Sequence, residues 1–566
     1  ARKIFSFRKG GIMPSHEYED GVDYVPTKKN IIFGHHFTTI AGLGPIVGPA
    51  IGIIWGWLPA FIWIFFGSIF MGAVHDFATL VISANNKGKT IGKLTGTILD
   101  PSTRYAFQFI MQLLLFIVLS VFSMIVSTLF IMYPEAVIPV WLQIPIAIWL
   151  GRRLKRKKNE LFFSIIAVLL MYVSILIGVK YPVDIMSWPI INQLATGPVE
   201  ARNLATVTWC LILFIYVFFA STLPVQKLLQ PRDYINSHQL LVAMLLIIIG
   251  LFVVHPKISA PAINQVAFTR GSGIPSLMPL LFIIIACGAI SGFHSIASSG
   301  TTVKQVDKEN DMLFIGYGGM ILEGFLAILV LMAVAGGLGL GLEKNGVLYT
   351  GRDAFLHHYS SWTSANAGIG AKLESFIVGS ANLFQGLGIP KSIGGPMIAV
   401  FIVSFANTTL DSAARIQRLS LQEIFTSNKG NIAQLINNRY FSTFIVVVAA
   451  AILTFIKPGG KGALLLWPLF GSLNQLLAAL ALGIVSVYII TRQKPIYSLT
   501  TLIPMIFVLV MTLWSMIENI IRFIEKGENL LVILSMIVLF LTTWLLVNGF
   551  QVIGKLKTKT AVTSIT

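Results

Sequence analysis

The sequence predicts an all-α membrane protein that crosses the bilayer about fourteen times. Its 566 residues are 55% hydrophobic and 11% charged, and a mean hydropathy of +0.81 lies far outside the range of soluble globular proteins. Apolar runs of about 20 residues, the length that spans the hydrocarbon core, recur along the whole chain. The first of these runs includes most of residues 34–49, a segment so rich in Gly and Pro that it predicts a membrane helix unwound near its middle.

The predicted spans contain no Lys or Arg, as the cost of a cation at mid-bilayer requires. They fall at residues 36–54, 57–83, 105–131, 136–150, 161–179, 204–225, 239–254, 277–299, 312–339, 392–413, 440–456, 462–490, 499–521 and 530–553. The basic residues concentrate on alternate connections, most heavily at 152–158, so both ends of this chain are predicted to be cytoplasmic in a cell membrane. Membrane orientation thus accounts for the net charge of +18, and membrane lipid rather than nucleic acid is the expected partner.

The order of the spans predicts two five-helix units of opposite orientation, the arrangement of secondary transporters built from inverted repeats. A polar N-terminal segment, residues 1–34, is followed by a first unit at 35–200 and a second at 201–415. Residues 416–566 add C-terminal helices and a basic tail. A long outer loop at 341–391 contains an apolar stretch, 375–390, that is expected to be re-entrant or interfacial.

The first predicted span carries the break, in the sequence GHHFTTIAGLGPIVGP. Non-helical backbone survives in lipid only where protein or a watery cavity satisfies its polar groups, so such a break is typical of a transport route. The residues expected to shape a substrate site, with free amides for a carboxylate, are Gly42, Gly44, Pro45, Gly48 and Pro49. A second interruption is expected around Pro224, unless the prolines there only kink or end a helix.

The eighth span, with the sequence IIACGAISGFHSIASSGTTVK, carries many small and hydroxyl residues. Helical spacing places Ser291, Ser295, Ser298 and Thr302 on one face with His294 beside it. Together with Ser299 and Thr301, this face either lines the path of a coupling ion or proton or lets neighbouring helices pack closely. Periodicity leaves both interpretations open.

Ionisable residues inside the predicted spans need a partner or a function. Glu323, flanked by glycines near the middle of its span, is the best candidate for a proton carrier; the alternative is a protonated side chain that holds a helix contact. His75 and Asp76 are predicted to form a proton relay, although adjacent residues on a helix point about 100° apart. Asp411 and Arg415 are four residues apart and are predicted to form a structural or gating ion pair rather than a substrate site.

His35 and His36 stand at the start of the broken span and suit a gate or a pH-sensitive contact. Neighbouring histidines lack the spacing of a helical zinc pair, so no metal site is expected. The spacing of the glycines after them does not fit a dinucleotide fingerprint, and we expect no cofactor. The sequence has no zinc-protease motif or plausible hydrolase triad, which argues against an enzyme.

Several blocks together resemble the carbon starvation protein A family of bacterial and archaeal inner-membrane transporters. They are DYVPTKK, FGHHFTTIAGLGPIVGP, LPVQKLLQPRDY, IACGAISGFHSIASSGTT, FIGYGGM and LWPLFGSLNQLLA, in the order of that family. The resemblance implies a LeuT-like helical fold of the amino acid, polyamine and organocation superfamily. It also implies proton-coupled import of peptides or pyruvate during nutrient limitation. Members of that family have further apolar helices ahead of the first block, and we expect such helices before Ala1.

Three alternatives remain at this point. A sodium-coupled symporter of the same fold would use the same breaks with another ion. A channel would also contain broken helices, but it would not support uphill accumulation. A starvation-sensing membrane protein would need an output domain, for which the sequence offers no soluble segment of sufficient length.

Overall fold

The computed structural model describes residues 12–155, 159–269, 271–365, 369–425 and 430–563. Helices dominate these residues. In chain order they are α1 (Pro14–Glu17), α2 (Lys29–Ile40), α3 (Gly44–Gly52), α4 (Trp57–Gly67), α5 (Ala73–Asn85), α6 (Ile91–Ile98), α7 (Thr103–Met132), α8 (Val137–Leu154), α9 (Glu160–Lys180), α10 (Pro189–Leu194), α11 (Pro198–Thr222) and α12 (Leu229–Val254).

The second part of the chain continues with twelve further helices in the described residues and one short antiparallel hairpin. These are α13 (Leu277–Ile284), α14 (Gly292–Gly300), α15 (Gly318–Met332), β1 (Leu342–Lys344), β2 (Val347–Tyr349), α16 (Gly351–Tyr359), α17 (Trp362–Ala365), α18 (Ile369–Gly386), α19 (Lys391–Phe425), α20 (Asn431–Asn437), α21 (Arg439–Phe455), α22 (Gly462–Arg492), α23 (Leu499–Glu525) and α24 (Asn529–Thr563).

The prediction of an all-α polytopic membrane protein is confirmed. Among the described residues, eleven helical stretches are long and apolar enough to cross a membrane, and two bent helix pairs raise the number to thirteen. The bent pairs are residues 29–55 and 431–455. These thirteen stretches coincide with thirteen of the fourteen predicted spans. The remaining predicted span, 277–299, is divided between α13 and α14, which are too short to cross a bilayer singly.

The predicted break in the first span is present. α2 and α3 meet at an angle of 44°, and the intervening residues 41–43 are buried. Glycine is required here because α3 approaches the next broken segment closely. A Cβ on Gly44 would lie 2.2 Å from Sγ of Cys287, and one on Gly48 would lie 2.7 Å from the carbonyl oxygen of Ile284. The two contacts press α3 against the link between α13 and α14.

The second interruption lies elsewhere than predicted. α11 ends at Thr222 and α12 begins at Leu229, so Pro224 belongs to a connection between two spans and not to a break within one. The proline stops α11, in the way that prolines commonly follow a helix C-terminus. The broken helix that packs against the first one is instead formed by α13 and α14, with residues 285–291 non-helical between them.

This break also divides the hydroxyl-bearing helix face that was predicted for the eighth span. Ser291 precedes α14 as its N-cap residue, and Thr302 follows the helix in a short 3-10 turn. The sequence predicted that the four hydroxyl residues share one continuous helical face, and this prediction is wrong. The period of 3.6 residues holds only inside α14, which has nine residues.

Residues 12–28 cover one end of the helix bundle, here called the N-terminal end. The amide of Val25 donates to the carbonyl of Lys304 (3.0 Å), and the amide of Thr27 donates to the carbonyl of Gln305 (3.0 Å). The segment is thus tied to the chain that leaves α14.

Asp23 lies in the same N-terminal segment and forms ion pairs with two arginine side chains of α19. Its carboxylate is 2.7 Å from Nη1 of Arg415 and 3.0 Å from Nη2 of Arg418. Arg415 therefore does not form the predicted pair with Asp411, which contacts Arg232 of α12 at 2.7 Å instead. Burial favours a raised pKa for Asp23, but the positive charges of Arg415, Arg418 and Lys304 outweigh it and hold that pKa well below its usual value.

The opposite end of the bundle, here called the far end, carries the hairpin and helices α16 to α18 between residues 341 and 391. The apolar stretch 375–390 forms the second half of α18 and the turn after it. This helix packs against α3, α12 and α19. It brings the far-end segment into direct contact with the first broken helix.

Replacing Asp23 with Asn is expected to destabilise the protein, because it leaves Arg415 and Arg418 buried without a counter-charge. Breaking a buried pair in this way costs about 3 kcal/mol or more. Thermal unfolding in detergent should show a clearly lower midpoint for Asp23→Asn. The matched control is Asp307→Asn, which removes a half-exposed contact with His16 in the same segment and should change stability by at most about 1 kcal/mol.

The pH dependence of the same contact has a definite sign. The pKa of Asp23 is lower in the folded protein than in the unfolded chain. The carboxylate therefore makes its full contribution to the free energy of unfolding above the ordinary carboxyl pKa near 4, and this contribution is lost only as pH falls through the lower pKa of the folded state. The stability difference between wild type and Asp23→Asn should therefore stay constant from pH 8 down to about pH 5. A difference that shrinks steadily across this range would contradict the assigned pairing.

Candidate functional site

A cavity of about 250 Å³ lies against both helix breaks and extends towards the far end. Leu43 and Gly44 line it from the first break, and Ala286 and Cys287 from the second. Trp362 of α17 lines one side, and the remaining lining comes from α3, α7, α13, α22, α23 and the turn after α23. The break that the sequence predicted therefore faces a hollow and not lipid.

The predicted substrate residues divide into two groups. Gly44 and Gly48 line the cavity. Gly42 faces the hydroxyl of Thr409 instead, while Pro45 and Pro49 lie within α3 and outside the cavity lining. Pro224, in the connection after α11, does not line it either.

Backbone amides are the polar groups that the two breaks offer. Among the described residues, no hydrogen bond is recorded from the amides of Leu43, Gly44, Ala286 or Cys287, all of which line the cavity. The first two stand at the N-terminus of α3, where the helix dipole adds a partial positive charge. Unpaired amides at a helix N-terminus form a ready site for a carboxylate or another anion.

The charged side chains of the lining come from α23 and the turn after it. They are Arg522 and Lys526, next to the amide of Asn519 and the hydroxyl of Ser515. Arg522 also reaches Glu518 on its own helix at 3.4 Å. Among the described residues that line the cavity none is acidic, so its electrostatics favour an anion over a cation.

A buried group of ionisable side chains lies behind the second break; we call His75, Asp76, His294 and Glu323 the Glu323 cluster. Nδ1 of His75 is 2.8 Å from one oxygen of Asp76, and Nδ1 of His294 is 2.9 Å from the other. Nε2 of His294 is 3.2 Å from an oxygen of Glu323. All four side chains are fully buried. The sequence singled out His75 with Asp76 as a pair, and His294 and Glu323 each on its own, and the structure brings all four together.

The Glu323 cluster has unused hydrogen-bonding capacity. Glu323 and His294 Nε2 stand at ion-pair distance but outside hydrogen-bond geometry, and neither Glu323 oxygen has another partner among the described residues. Asp76 fixes the orientation of His294 through Nδ1, which leaves Nε2 directed at Glu323. A proton can therefore be bound and released between His294 and Glu323 with little rearrangement.

Cys287 connects this cluster to the cavity. Its sulfur, a nitrogen of His294 and an oxygen of Glu323 all lie within 4.8 Å of one another. These three atoms are the described group best placed to share a small cation. The sequence did not predict a role for Cys287, because a lone cysteine in an apolar span carries no spacing signal.

The hydroxyl residues of α14 mostly bond within their own helix. Ser295 and Thr301 donate to the carbonyls of Gly292 and Ala297. Ser299 donates to the carbonyl of Ser295 and accepts from the amide of Ile91. The hydroxyl of Ser298 is buried without a recorded partner. Of the predicted coupling hydroxyls, Ser298 is thus the one with capacity to spare in the described structure.

The adjacent histidines of α2 point to different partners. Nδ1 of His36 contacts the hydroxyl of Thr302 at 2.9 Å, while its Nε2 is unpartnered among the described residues. Nδ1 of His35 is 2.5 Å from Asp233, and its Nε2 is 3.1 Å from the side-chain amide of Gln305. His36 therefore joins the two broken helices, and His35 joins the first of them to α12.

Sequence reasoning missed Arg232, Asp233 and Asn474. Arg232 and Asp233 are buried within α12, which the hydropathy pattern began later, at residue 239, because of these charges. Asn474 of α22 accepts from the amide of Phe293 and the hydroxyl of Ser291, and so holds the start of α14. A polar residue in the middle of an apolar span was the available signal for Asn474.

Comparison with known proteins identifies the family. The family described as "Carbon starvation protein CstA" matches residues 1–340 and 352–515. The peptide transporter CstA of Mycobacterium tuberculosis (strain ATCC 25618 / H37Rv) is 32% identical over 553 residues, which cover 90% of this chain and 71% of the relative. The peptide transporter CstA of Bacillus subtilis (strain 168) is 31% identical over 518 residues, which cover 88% and 83%.

Another relative carries a different substrate name. The pyruvate/proton symporter BtsT of Escherichia coli (strain K12) is 30% identical over 575 residues, which cover 91% of this chain and 78% of the relative. Among solved structures, MhsT in complex with L-phenylalanine aligns with a TM-score of 0.46 and 13% identity, over 86% of this chain and 98% of that one. From the family match and the relatives that align with most of this chain, the chain belongs to the carbon starvation protein CstA family.

Proposed function

We propose that this protein is a secondary active transporter that imports a small carboxylate by proton-coupled alternating access. The observation that carries the proposal is the meeting of two broken helices at one cavity, whose lining residues include four with no recorded amide hydrogen bond among the described residues and one, Cys287, that lies beside the buried Glu323 cluster. The names of relatives as peptide transporters and as a pyruvate/proton symporter support this class of function. The link of the family to carbon starvation suggests uptake of a carbon source.

The cargo is expected to bind through its carboxylate. The amides of Leu43 and Gly44, at the positive end of α3, would hold that group, and Arg522 would attract it from the far end. Both pyruvate and the C-terminus of a peptide present a carboxylate. The described lining has no acidic residue to receive the ammonium group of a peptide, which favours pyruvate or a similar monocarboxylate.

Coupling would run through Cys287 and the Glu323 cluster. A proton bound between His294 and Glu323 removes a net negative charge from a fully buried site next to the cavity. Because an uncompensated charge in this environment is costly, proton binding would favour the state that receives the anionic cargo. Ser298 and Thr302 would complete this side, and sodium would be the alternative ion.

Gating would use the contacts at the N-terminal end. Asp23, Arg415 and Arg418, together with the backbone pairing of residues 25 and 27, hold the N-terminal segment across the broken helices. The cavity lining includes Trp362 of the far-end segment and none of these N-terminal residues. With the predicted orientation, the far end would face outside, and release of cargo would require these contacts to separate. His36 and Thr302 would part in the same movement.

Replacing Glu323 with Gln is expected to reduce strongly the accumulation driven by a pH gradient, because the side chain can no longer exchange a proton. Uptake of labelled pyruvate and of dialanine into proteoliposomes, with an imposed inward proton gradient, measures the effect. The accumulation ratio should fall well below that of wild type for Glu323→Gln, while exchange of labelled for unlabelled cargo across the membrane persists.

The matched control for this experiment is Glu135→Gln, at a partly exposed carboxylate outside the cluster, which should accumulate cargo as wild type does. Normal accumulation by Glu323→Gln would remove that residue from the mechanism. Accumulation driven by a sodium gradient but not by a proton gradient would replace protons with sodium. Flux that never exceeds equilibrium under either gradient would favour a channel.

Replacing Gly44 with Ala is expected to reduce uptake by roughly tenfold or more, because overpacking costs about 1 to 3 kcal/mol. The added Cβ would lie 2.2 Å from Sγ and 2.4 Å from Cβ of Cys287, but 3.7 Å from its Cα. The double variant Gly44→Ala/Cys287→Gly removes both close contacts and should therefore recover the exchange of labelled for unlabelled cargo, which does not depend on the coupling route through Cys287. Gly48→Ala meets the backbone of Ile284 and should not be rescued by Cys287→Gly. Equal uptake by all of these variants would contradict the close contact between the breaks.

A further inference from the structure

A second buried group of ionisable side chains lies between α2, α11, α12 and α19; we call His35, Tyr216, Arg232, Asp233 and Asp411 the Asp233 cluster. One oxygen of Asp233 is 2.5 Å from Nδ1 of His35. Arg232 is 2.7 Å from Asp411 and also bonds the hydroxyl of Tyr216, which donates to Asp411 at 2.9 Å. The charged members are nearly or fully buried.

Counting charges shows that the Asp233 cluster lacks one positive charge. Arg232 neutralises Asp411, with which it forms a direct ion pair. Asp233 is then left with His35, and a neutral imidazole cannot balance its charge. The second oxygen of Asp233 has no hydrogen-bond partner among the described residues. Since an uncompensated buried carboxylate is costly, one proton must be held by the contact between His35 and Asp233 in this state.

Other charged groups nearby already have partners. On the elements packed against α2, the charged or titratable groups are His294 and Glu323 in the Glu323 cluster, Lys304 in cation–π contact with Tyr24, and Arg415 and Arg418 on Asp23. Gln305 contributes a neutral amide to His35. The remaining charge on Asp233 is therefore not balanced by a fixed cation.

We propose that the Asp233 cluster is a second proton-binding site, separate from the Glu323 cluster, so that two protons move with each cargo molecule. The inference rests on the proposed function, since it concerns the number of protons carried. Its mechanical basis is the contact of His35 on α2 with Asp233 on α12. Separating α2 from α12 breaks this contact and exposes Asp233, which releases its proton to water; closing the contact takes a proton up again.

The neighbouring position of the two clusters makes joint operation physically reasonable. His35 and His36 are consecutive on α2, and each contacts a different part of the molecule. A displacement of α2 therefore acts on the Asp233 cluster through His35. Through His36 and Thr302 it also acts on the turn that follows α14, the helix that carries His294 of the Glu323 cluster.

Electrical measurements distinguish one proton from two. One proton carried with a monoanion such as pyruvate moves no net charge, whereas two protons move one positive charge. Wild-type protein in proteoliposomes without a pH gradient should therefore accumulate labelled pyruvate when a tenfold potassium gradient with valinomycin makes the interior negative. The expected accumulation ratio is up to about tenfold, because one charge crosses the potential per cargo molecule.

The variants Asp233→Asn and His35→Gln should lose this response while retaining accumulation driven by a pH gradient. Each is expected to give a ratio near one under the potential alone. His238→Gln is the matched control, since His238 lies on α12 but contacts the backbone of Tyr234. It should respond as wild type does. Exchange of labelled for unlabelled cargo is measured on every variant, and only variants that show exchange, and so fold and bind cargo, are compared.

The outcomes separate this inference from the proposed function. Wild-type accumulation that follows a pH gradient but ignores the potential would overturn the second site and leave proton coupling intact, and this measurement needs no variant. A full response of both Asp233→Asn and His35→Gln would also overturn it. Absence of accumulation under either gradient would refute the proposed function itself. If dialanine is carried instead, the potential should give up to about a hundredfold for two protons and about tenfold for one.

Discussion

The lack of water inside a bilayer is the constraint on which this structure depends. Every amide and carbonyl in the hydrocarbon needs a partner, so a membrane helix can be interrupted only where protein or a hollow replaces lipid. Here two interruptions occur side by side, at residues 41–43 and 285–291, and glycine contacts hold them together. Their remaining free amides line one cavity. The arrangement concentrates unsatisfied backbone where a polar cargo can satisfy it.

The buried charges form a series along the first broken helix. The Glu323 cluster lies beside the cavity, the Asp233 cluster lies against α2, and Asp23 with its two arginines closes the N-terminal end. Each group is held by residues from several helices that are distant in sequence. Buried ion pairs of this kind contribute little net stability, but separating their members is costly. They are therefore suited to defining a small number of discrete states.

The sequence predicted the helical membrane class, the first break and the individual members of the Glu323 cluster. Hydropathy and the density of Gly and Pro are local properties, so these features were accessible from the chain alone. The second break was not, because its sequence ACGAISG has no proline and looks the same as a tightly packed helix. The partners of the buried charged residues could not be predicted from the sequence either. Asp411 and Arg415 have suitable spacing on one helix, yet each finds a partner from another segment. The division into inverted units and the orientation in the membrane stay predictions.

α23 differs from the other elements that surround the cavity. Only 33% of its most apolar stretch is buried within the protein, so most of the helix faces outward. It nevertheless supplies Ser515, Asn519 and Arg522 to the cavity, and it contains none of the residues of the two ionisable clusters. Substitutions along the cavity-facing side of this peripheral helix can therefore change the shape and charge of the cavity without touching either ionisable cluster.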